Sequence, residues 1–389
     1  MRQLLTGARL FTGDTILDGH SLLIEGGRIL DLTPRQTAPQ AEVVTLPAGS
    51  LIAPGFIDTQ VNGGGGALLN DTPTTDAVRT IVDAHRRYGT TGLLPTFITD
   101  ASDKMHAAGA AVAEAARTAG SGVLGLHLEG PFLSQERRGV HSPAFVRPPT
   151  AGDIAYLAEL PNEFPGGRVL LSLAPETVCD ADIRTLAAAG VLLAGAHSAA
   201  SYARTMAAIR AGISGFTHLF NAMPPLANRE PGIAGAALLS AETWCGIIVD
   251  GIHVHPAALK LALASKPRGK LMLVTDAMTP LGTDAISFEL YGATIHRRDG
   301  RLVTDDGTLA GADLDMAQAV RNCIGLLDVP REEALRMASL YPAEFLGMAD
   351  RRGRLGQGYQ ADLTLLDQSN HVLGTWVAGT WQAVWSTGC

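Results

Sequence analysis

The sequence is poor in charged residues, aromatic residues and cysteines. Charged residues make up 17% of its 389 residues and aromatic residues 5%, whereas a typical globular chain has about 25% charged residues. Hydrophobic residues make up 46%, so the chain is too apolar to be intrinsically disordered. Acidic residues outnumber basic ones by 38 to 30, which gives a net charge of −8. The chain therefore lacks the overall basic field that would hold nucleic acid.

The four cysteines lie far apart, at positions 179, 245, 323 and 389, and no CxxC pair occurs. This spacing argues against a disulfide framework and a cysteine zinc site, so we expect reduced cysteines, mostly in the core. Gly7, Thr12 and Gly13 interrupt the apolar N-terminal stretch, which excludes a signal-peptide core. No apolar run approaches the ~18–20 residues of a membrane span. We therefore expect a cytoplasmic protein without membrane contacts.

Eight short apolar runs alternate with stretches of helical periodicity. The runs cover residues 51–60, 91–99, 122–130, 168–176, 191–198, 215–222, 245–254 and 271–278. Continuous apolar runs are typical of parallel strands that are buried on both faces. The pattern predicts an α/β fold with a (β/α)8 TIM barrel. A doubly wound open sheet is the alternative.

The two ends of the chain have a different pattern, with short strands joined by glycine-rich turns. Neither end is long enough to form a sheet core alone. We expect residues 1–53 and 348–389 to form one small β-sandwich domain beside a barrel of residues 54–347. Two Asp-Gly pairs in the segment 284–308 predict a hairpin inserted after the eighth strand, a lid that ends at Leu309.

Polar side chains follow nearly every predicted strand, where the active sites of TIM barrels lie. They are Gln60, Asn62, Thr96, Thr99, His127, Glu129, Glu176, His197, His218, Asn221, Asp250, His253 and Asp276. Charged groups are rarely buried unless they are paired or bind a metal. A ring of such groups at one end of the barrel therefore favours a reactive site over simple packing.

Glu129, His197 and His218 provide the ligand types of a catalytic zinc site, which uses imidazole and carboxylate groups and leaves one position open. They follow the third, fifth and sixth predicted strands, so they should converge near the barrel axis. Asp276 follows the eighth strand. A carboxylate at that place can take a proton from water and later deliver it to a leaving group.

Five segments together carry a specific resemblance: HLEGPF (127–132), GAHSAA (195–200), THLFNAMPP (217–225), DGIHV (250–254) and VTDAM (274–278). They resemble the motifs of the N-acetylglucosamine-6-phosphate deacetylases, which belong to the amidohydrolase superfamily. APGFIDTQVNG (53–63) and TLAG (308–311) fit the same family. The resemblance covers essentially the whole chain, including the β domain that the superfamily builds from both termini.

The resemblance implies hydrolysis of the acetamide of N-acetyl-D-glucosamine 6-phosphate to D-glucosamine 6-phosphate and acetate. It implies that Glu129, His197 and His218 bind the metal and that Asp276 is the general base and then the acid. His141, with Val140 beside it, would hold or polarise the acetamide, with His141 donating to the developing oxyanion. The sugar phosphate would be contacted by Asn221, Ala222, Arg229, His253, Leu309, Ala310 and Gly311.

The family is typically homodimeric. The resemblance implies that Arg229 and His253 reach the neighbouring subunit's site. Many amidohydrolases have His-x-His after the first strand and bind two metals, whereas this chain has Gln60-Val61-Asn62. Amides are poor zinc ligands, so we expect one divalent metal ion per subunit. Zinc is favoured, and iron, cobalt and manganese are alternatives.

Two other functions remain open at this point. The substrate could be a related amino-sugar phosphate such as N-acetylgalactosamine 6-phosphate, because sequence does not separate epimers that differ at one hydroxyl. A non-catalytic amidohydrolase-like scaffold is disfavoured because Glu129, His197, His218 and Asp276 are all present. A cyclic-amide hydrolase is disfavoured because Arg229 and His253 would then have no anionic group to bind.

Overall fold

The computed structural model describes residues 2–384, and the segment before the barrel forms seven short strands. They are β1 (Arg2–Thr6), β2 (Arg9–Phe11), β3 (Ile16–Leu17), β4 (Ser21–Glu25), β5 (Arg28–Thr33), β6 (Glu42–Thr45) and β7 (Leu51–Pro54). β5, β4, β1 and β6 form one sheet in that order. The other three strands belong to a sheet that also contains strands from the C-terminal end of the chain.

The central sheet has eight parallel strands, which are hydrogen-bonded neighbours in chain order. They are β8 (Phe56–Val61), β11 (Thr90–Ile98), β12 (Gly125–Glu129), β13 (Arg168–Leu173), β14 (Leu192–Gly195), β15 (Ile213–Phe216), β16 (Trp244–Ile247) and β17 (Leu271–Leu273). A parallel bridge between Val61 and Ala277 joins the two ends of the sheet. The predicted TIM barrel is confirmed. A small hairpin of β9 (Gly63–Gly64) and β10 (Ala67–Leu68) follows β8.

Ten α-helices accompany these strands in the described part of the chain. They are α1 (Thr75–Arg86), α2 (Ser102–Ala116), α3 (Ala151–Glu159), α4 (Asp180–Ala188), α5 (Tyr202–Ala211), α6 (Gly232–Leu239), α7 (Pro256–Ser265), α8 (Met316–Leu327), α9 (Arg331–Ala338) and α10 (Leu340–Phe345). Short 3-10 helices cover Gln135–Arg137 and Leu160–Glu163. Between residues 2 and 384, no helix is long and apolar enough to cross a membrane.

The insertion after β17 is a four-stranded antiparallel sheet, not the single hairpin that we predicted. Its strands are β18 (Ser287–Leu290), β19 (Ala293–Arg298), β20 (Arg301–Val303) and β21 (Leu309–Ala312). A further tight turn at Tyr291 and Gly292, both with positive φ, adds β18, and Leu309 pairs with Val303. Leu309, Ala310 and Gly311 therefore lie in strand β21 and not in a free loop. We call β18–β21 the lid sheet.

The two chain ends meet in a second sheet beside the barrel. Its strands are β3, β2 and β7 from the N-terminal end and β22 (Leu363–Leu366), β23 (Val372–Val377) and β24 (Thr380–Ala383) from the C-terminal end. Their common apolar core includes Leu10, Ile24, Leu363 and Trp376. The small sandwich domain built from both termini is therefore confirmed as part of the fold. The boundaries 1–53, 54–347 and 348–389 stay a prediction, and Met1 and residues 385–389 lie outside the described residues.

The first predicted barrel strand, 51–60, is divided between two sheets. β7 pairs with β22 in the terminal sheet, whereas β8 pairs with β11 in the barrel. Gly55 lies between them, where a Cβ atom would be 1.9 Å from Thr91 Oγ1. The absence of a side chain lets the chain pass from one sheet to the other. Cys179, Cys245 and Cys323 are free, and Cys179 is exposed; Cys389 lies outside the described residues.

Asp58 ties the first barrel strand to the segment after the last one. Its Oδ1 accepts hydrogen bonds from the main-chain N–H groups of Gln60 (3.1 Å) and Thr275 (3.3 Å), and its Oδ2 accepts one from Thr275 Oγ1 (2.5 Å). Burial raises the pKa of Asp58 to about 7, although these hydrogen bonds act in the opposite direction. The place where the first and last strands of the barrel meet therefore contains a carboxyl group that is mostly protonated below about pH 7.

We predict that Asp58→Asn stabilises the protein relative to the wild type as pH rises from 5 to 8. The unfolded carboxyl has a pKa of about 3.9, so the folded wild type binds an additional proton between about pH 4 and 7, and its free energy of unfolding falls as pH rises. The substituted amide stays neutral and can donate to Thr275 Oγ1. Between pH 5 and the folded pKa of about 7, the relative gain is at most on the order of 3 kcal/mol, at about 1.4 kcal/mol per pKa unit.

Urea unfolding midpoints at both pH values measure this difference. Asp299→Asn, at an exposed turn, is the matched control and should show no such trend. A difference between Asp58→Asn and wild type that stays constant with pH would contradict the prediction.

Candidate active site

Glu129, His197 and His218 meet at the carboxyl end of the barrel. Glu129 ends β12, and the two histidines lie two residues beyond β14 and β15. Glu129 Oε1 lies 2.9 Å from His218 Nε2 and 3.2 Å from His197 Nε2, and the two Nε2 atoms are 3.0 Å apart. Three ligands of a tetrahedral zinc ion, each at ~2.0–2.2 Å, are separated by about 3.3 Å. The three predicted ligands therefore have the spacing that a divalent ion requires.

The protonation of His197 follows from its other hydrogen bond. His197 Nδ1 lies 2.9 Å from the main-chain oxygen of Arg137, and a carbonyl oxygen can only accept, so Nδ1 carries the proton and Nε2 has a lone pair. Such a contact orients metal-binding histidines. The ring of His218 is buried, and its Nδ1 has no partner within residues 2–384. Ring nitrogens facing each other at 3.0 Å repel unless a proton or cation lies between them.

The carboxylate of Glu129 stays charged in this buried position. Burial alone would raise its pKa, but the adjacent imidazole groups of His197 and His218 outweigh burial and hold the pKa of Glu129 well below its usual range. Burial would lower the pKa of His218, yet the hydrogen bond and charge of Glu129 raise it. An anionic carboxylate beside two imidazoles is a donor set that suits a divalent cation.

His141 lies against this cluster. Possible ligand atoms of His141, Glu129 and His197 lie within 4.8 Å of one another, and the rings of His141 and His197 meet edge to face at 4.5 Å. His141 Nδ1 lies 2.9 Å from Thr99 Oγ1. Burial, together with the charge of His197, lowers the pKa of His141 to about 3. His141 is therefore a neutral ring next to the candidate metal site, as its expected role beside the acetamide requires.

Asp276 is the buried acid of the site. Its Oδ1 accepts hydrogen bonds from Asn62 Nδ2 (2.7 Å) and Gln60 Nε2 (3.0 Å). Gln60 Nε2 also lies 3.2 Å from Glu129 Oε2. Burial and the charge of Glu129 raise the pKa of Asp276 to about 6, in part offset by His218 and His253. A carboxylate with a pKa close to neutral can both accept and return a proton.

The sequence singled out Gln60 and Asn62 only as poor metal ligands and did not reveal that they hold Asp276. Gln60 lies in β8 and Asn62 directly after it, so the two side chains, two residues apart, point to the same side and both reach the same carboxylate. The spacing was visible in the sequence, but the partner, more than 200 residues away, was not.

Three residues of the candidate site have backbone in the left-handed region. The φ angles are +45° at His197, +32° at His218 and +54° at Asp276. Such conformations cost non-glycine residues on the order of 1–3 kcal/mol each and occur preferentially at functional sites. The chain turns sharply at the strand ends, and these turns aim the side chains towards the barrel axis.

The other predicted residues surround this centre at different distances. His253 Nδ1 pairs with Asp250 Oδ2 at 2.6 Å, and its charge acts on Asp276 of the same chain. Asn221 Nδ2 donates to the main-chain oxygen of His218. Ala222 accepts from the main-chain N–H of Ser198. Arg229 lies in an exposed segment, 225–230.

Val140 and β21 connect the candidate site to the lid sheet. Val140 packs against the apolar cluster of the lid sheet. A Cβ atom on Gly311 would lie 2.5 Å from Met278 Cγ and 2.9 Å from the main-chain oxygen of Asp276. Only glycine permits this approach, so β21 passes directly over the backbone of Asp276. Glu176 does not enter the centre; it accepts from Ser198 Oγ and the N–H of Ala199, both at 2.7 Å.

Two sequence families match this chain: the amidohydrolase family over residues 51–388 and the NagA composite domain over residues 4–43. The chain is 42% identical to the N-acetylgalactosamine-6-phosphate deacetylase of Shewanella sp. (strain ANA-3), over 96% of this chain and 94% of that one. It is 32% identical to the N-acetylglucosamine-6-phosphate deacetylase of Haemophilus influenzae, over 98% and 100%.

Solved structures agree with the fold. The N-acetylglucosamine-6-phosphate deacetylase of Pasteurella multocida superposes with a TM-score of 0.94 at 34% identity, over 98% of this chain and 100% of that one. An aspartate-to-alanine mutant of the Mycobacterium smegmatis enzyme, in complex with N-acetyl-D-glucosamine-6-phosphate, superposes with a TM-score of 0.89 at 33% identity, over 98% and 99%.

We predict that the purified protein binds a divalent ion and that Glu129→Gln weakens this binding by roughly 10- to 100-fold or more, because the site then loses its only anionic ligand. Metal content after dialysis, measured by inductively coupled plasma mass spectrometry, tests this. Glu289→Gln on the exposed edge of the lid sheet is the matched control. Equal metal content in Glu129→Gln and wild type would contradict the assignment.

Proposed function

The chain belongs to the amidohydrolase family, and we propose that it removes the acetyl group of N-acetyl-D-glucosamine 6-phosphate, releasing acetate and D-glucosamine 6-phosphate. The observation that carries this proposal is the buried Asp276, held by Gln60 and Asn62 beside a cluster with the spacing of a metal site. The deacetylase names of relatives that match nearly the whole chain support it.

We propose Glu129, His197 and His218 as the ligands of one divalent ion per subunit. When bound there, such an ion supplies Lewis acidity, which polarises a carbonyl group and lowers the pKa of water. Two imidazoles and one carboxylate favour zinc, and iron, cobalt and manganese are the alternatives.

Asp276 would move the proton of the reaction. It accepts a proton from the water that attacks the acetamide carbon, and it then delivers that proton to the amine nitrogen as the C–N bond breaks. Its Oδ1 is occupied by the two amide groups, whereas Oδ2 has no hydrogen-bond partner among residues 2–384. Gln60 and Asn62 therefore fix the carboxylate and leave one oxygen for proton transfer.

The remaining predicted residues would bind the substrate. We propose that His141 and Val140 contact the acetamide and that Asn221, Ala222, His253, Leu309, Ala310 and Gly311 surround the sugar phosphate. Phosphate binding far from the scissile bond contributes by orienting the acetamide. In a chain with a net charge of −8, this anion requires local cations.

We propose a homodimer in which Arg229 reaches the partner's phosphate site. A guanidinium group matches phosphate oxygens, and Arg229 lies in an exposed segment. We propose that His253 also reaches the neighbouring subunit's site, as the resemblance implies. The cytoplasmic location stays a prediction.

N-acetylgalactosamine 6-phosphate is the second candidate substrate. The relative from Shewanella, 42% identical, carries this name, whereas the N-acetylglucosamine-6-phosphate deacetylases from Haemophilus influenzae and human are 32% and 36% identical. The two sugars differ only in the configuration at C4. The ratio of kcat/KM for the two phosphates decides between them.

We predict that Asp276→Asn lowers acetate release by about 10²- to 10⁴-fold, because the amide cannot accept the proton of water, while metal content stays unchanged. An acetate assay with both sugar phosphates, with and without chelator, measures this. Asp299→Asn is the control. Undiminished activity of Asp276→Asn would exclude the proposed proton transfer, and no acetate from either phosphate would exclude the proposed function.

We predict that Arg229→Gln raises KM for the phosphorylated sugar by about tenfold or more, since a charged hydrogen bond contributes about 1.5–3 kcal/mol, and leaves the unphosphorylated sugar unaffected. Arg298→Gln on the exposed lid sheet is the control. Mixing the Arg229→Gln and Asp276→Asn proteins should restore activity, since each mixed dimer contains one site with both native residues. Absence of restoration in verified mixed dimers would show that Arg229 serves its own subunit.

A further inference from the structure

A large cavity lies between the barrel and the small β domain. Its volume is about 740 Å³, within the range of roughly 300–1,000 Å³ that is usual for small-molecule sites. It is lined by the turn between β4 and β5, the end of α1, the loop 118–122 after α2 and the turn between β23 and β24. We call it the junction cavity, because both domains contribute to its wall.

The junction cavity lies away from the candidate active site. Arg86 ends α1, which leads into β11, and the loop 118–122 leads into β12. Both therefore lie at the amino ends of barrel strands, whereas Glu129 ends β12 and marks the opposite end of the barrel. None of the proposed metal or substrate ligands is among the described residues that line the cavity. A molecule bound there would not compete with the substrate for space.

Two guanidinium groups that line the junction cavity have no carboxylate partner. Arg28 donates from Nη1 to the main-chain oxygen of Gly358 at 2.8 Å. Arg86 donates from Nε to Thr375 Oγ1 at 3.1 Å and from Nη2 to the main-chain oxygen of Thr380 at 2.7 Å. Neither arginine forms an ion pair within residues 2–384. Because arginine has five N–H donors, both side chains keep donors free for a ligand.

The lining of the junction cavity carries more positive than negative charge. Burial lowers the pKa of Arg86, and the charge of Asp83 opposes this only in part. A third arginine of the lining, Arg352, pairs with Asp362. Asp362 is the only acidic residue in the described part of the lining, and its other oxygen accepts from the N–H of Ala378. Three guanidinium groups therefore face one carboxylate, which is already engaged.

We propose that the junction cavity binds a small phosphate-bearing molecule through Arg28 and Arg86. A phosphate monoester carries about two negative charges near pH 7 and three acceptor oxygens, so it can engage two guanidinium groups at once. Gly26, Gly27 and Gly120 also line the cavity, which lets the main chain approach an anion closely. The ligand would contact both domains and stabilise their junction. This proposal is independent of the deacetylase activity.

Thermal unfolding of the zinc-loaded enzyme measures binding, because a ligand of the folded state raises Tm. In a titration with inorganic phosphate, we expect the Tm of the wild type to rise by about 1–2 °C more than that of Arg28→Gln. This is the difference that a roughly tenfold loss of affinity produces in a chain of this size. Arg28 is exposed, so its substitution should leave the fold intact. Arg298→Gln on the exposed lid sheet is the matched control and should respond like the wild type.

Phosphate that binds at the candidate active site contributes equally to all three proteins, so the difference between them reports the junction cavity. Crystals of the wild-type enzyme soaked with tungstate, a heavy analogue of phosphate, locate the site directly, and we expect anomalous density between Arg28 and Arg86.

The absence of tungstate density in the junction cavity would overturn the proposal, whether or not Arg28→Gln folds. So would equal rises of Tm with phosphate in wild type and Arg28→Gln, or the same difference between them with sodium chloride at equal ionic strength. Neither measurement uses the acetamide substrate, so failure of the proposed deacetylase activity would be seen separately.

Discussion

The arrangement of the candidate site depends on three ligand atoms that would repel one another without a cation or proton between them. Glu129 Oε1 and the Nε2 atoms of His197 and His218 lie within 3.2 Å of each other. Surrounding contacts hold them there: the Arg137 carbonyl fixes the ring of His197, and left-handed backbone turns aim both histidines inward. The left-handed backbone costs conformational energy, and the cluster that it assembles is one that a positive ion would stabilise.

The same crowding gives Asp276 its proposed chemistry. Burial and the charge of Glu129 raise the pKa of Asp276 to about 6, while Glu129 itself remains ionised because the adjacent imidazoles of His197 and His218 outweigh burial. Glu129 and Asp276 therefore differ in pKa, although they lie close together, because their neighbouring groups differ. The amide side chains of Gln60 and Asn62 are compatible with this difference in pKa, since each donates to Asp276 without adding charge.

The sequence predicted the site residues that recur at the same place, the end of the strand, in successive βα units. Parallel strands buried on both faces are largely apolar, so Glu129, His197, His218 and Asp276 at the strand ends were visible as members of one ring. Their partners were not visible, because Asn62 and Thr99 act through contacts with residues distant in sequence. The passage of the chain between sheets at Gly55 and the added turn at Tyr291 were missed for a related reason. Both follow from tertiary packing, which local periodicity does not encode.

The lid sheet and the backbone of Asp276 are parts of one hydrogen-bonded unit. The main-chain oxygen of Asp276 accepts from the N–H of Ala312, and the N–H of Met278 donates to the oxygen of Ala312. Gly311 approaches the same backbone so closely that a side chain would not fit. A movement of β21 that admitted a sugar phosphate would therefore also displace Asp276. For this reason the lid sheet must accommodate the substrate through side chains and its outer strands, while β21 stays fixed above Asp276.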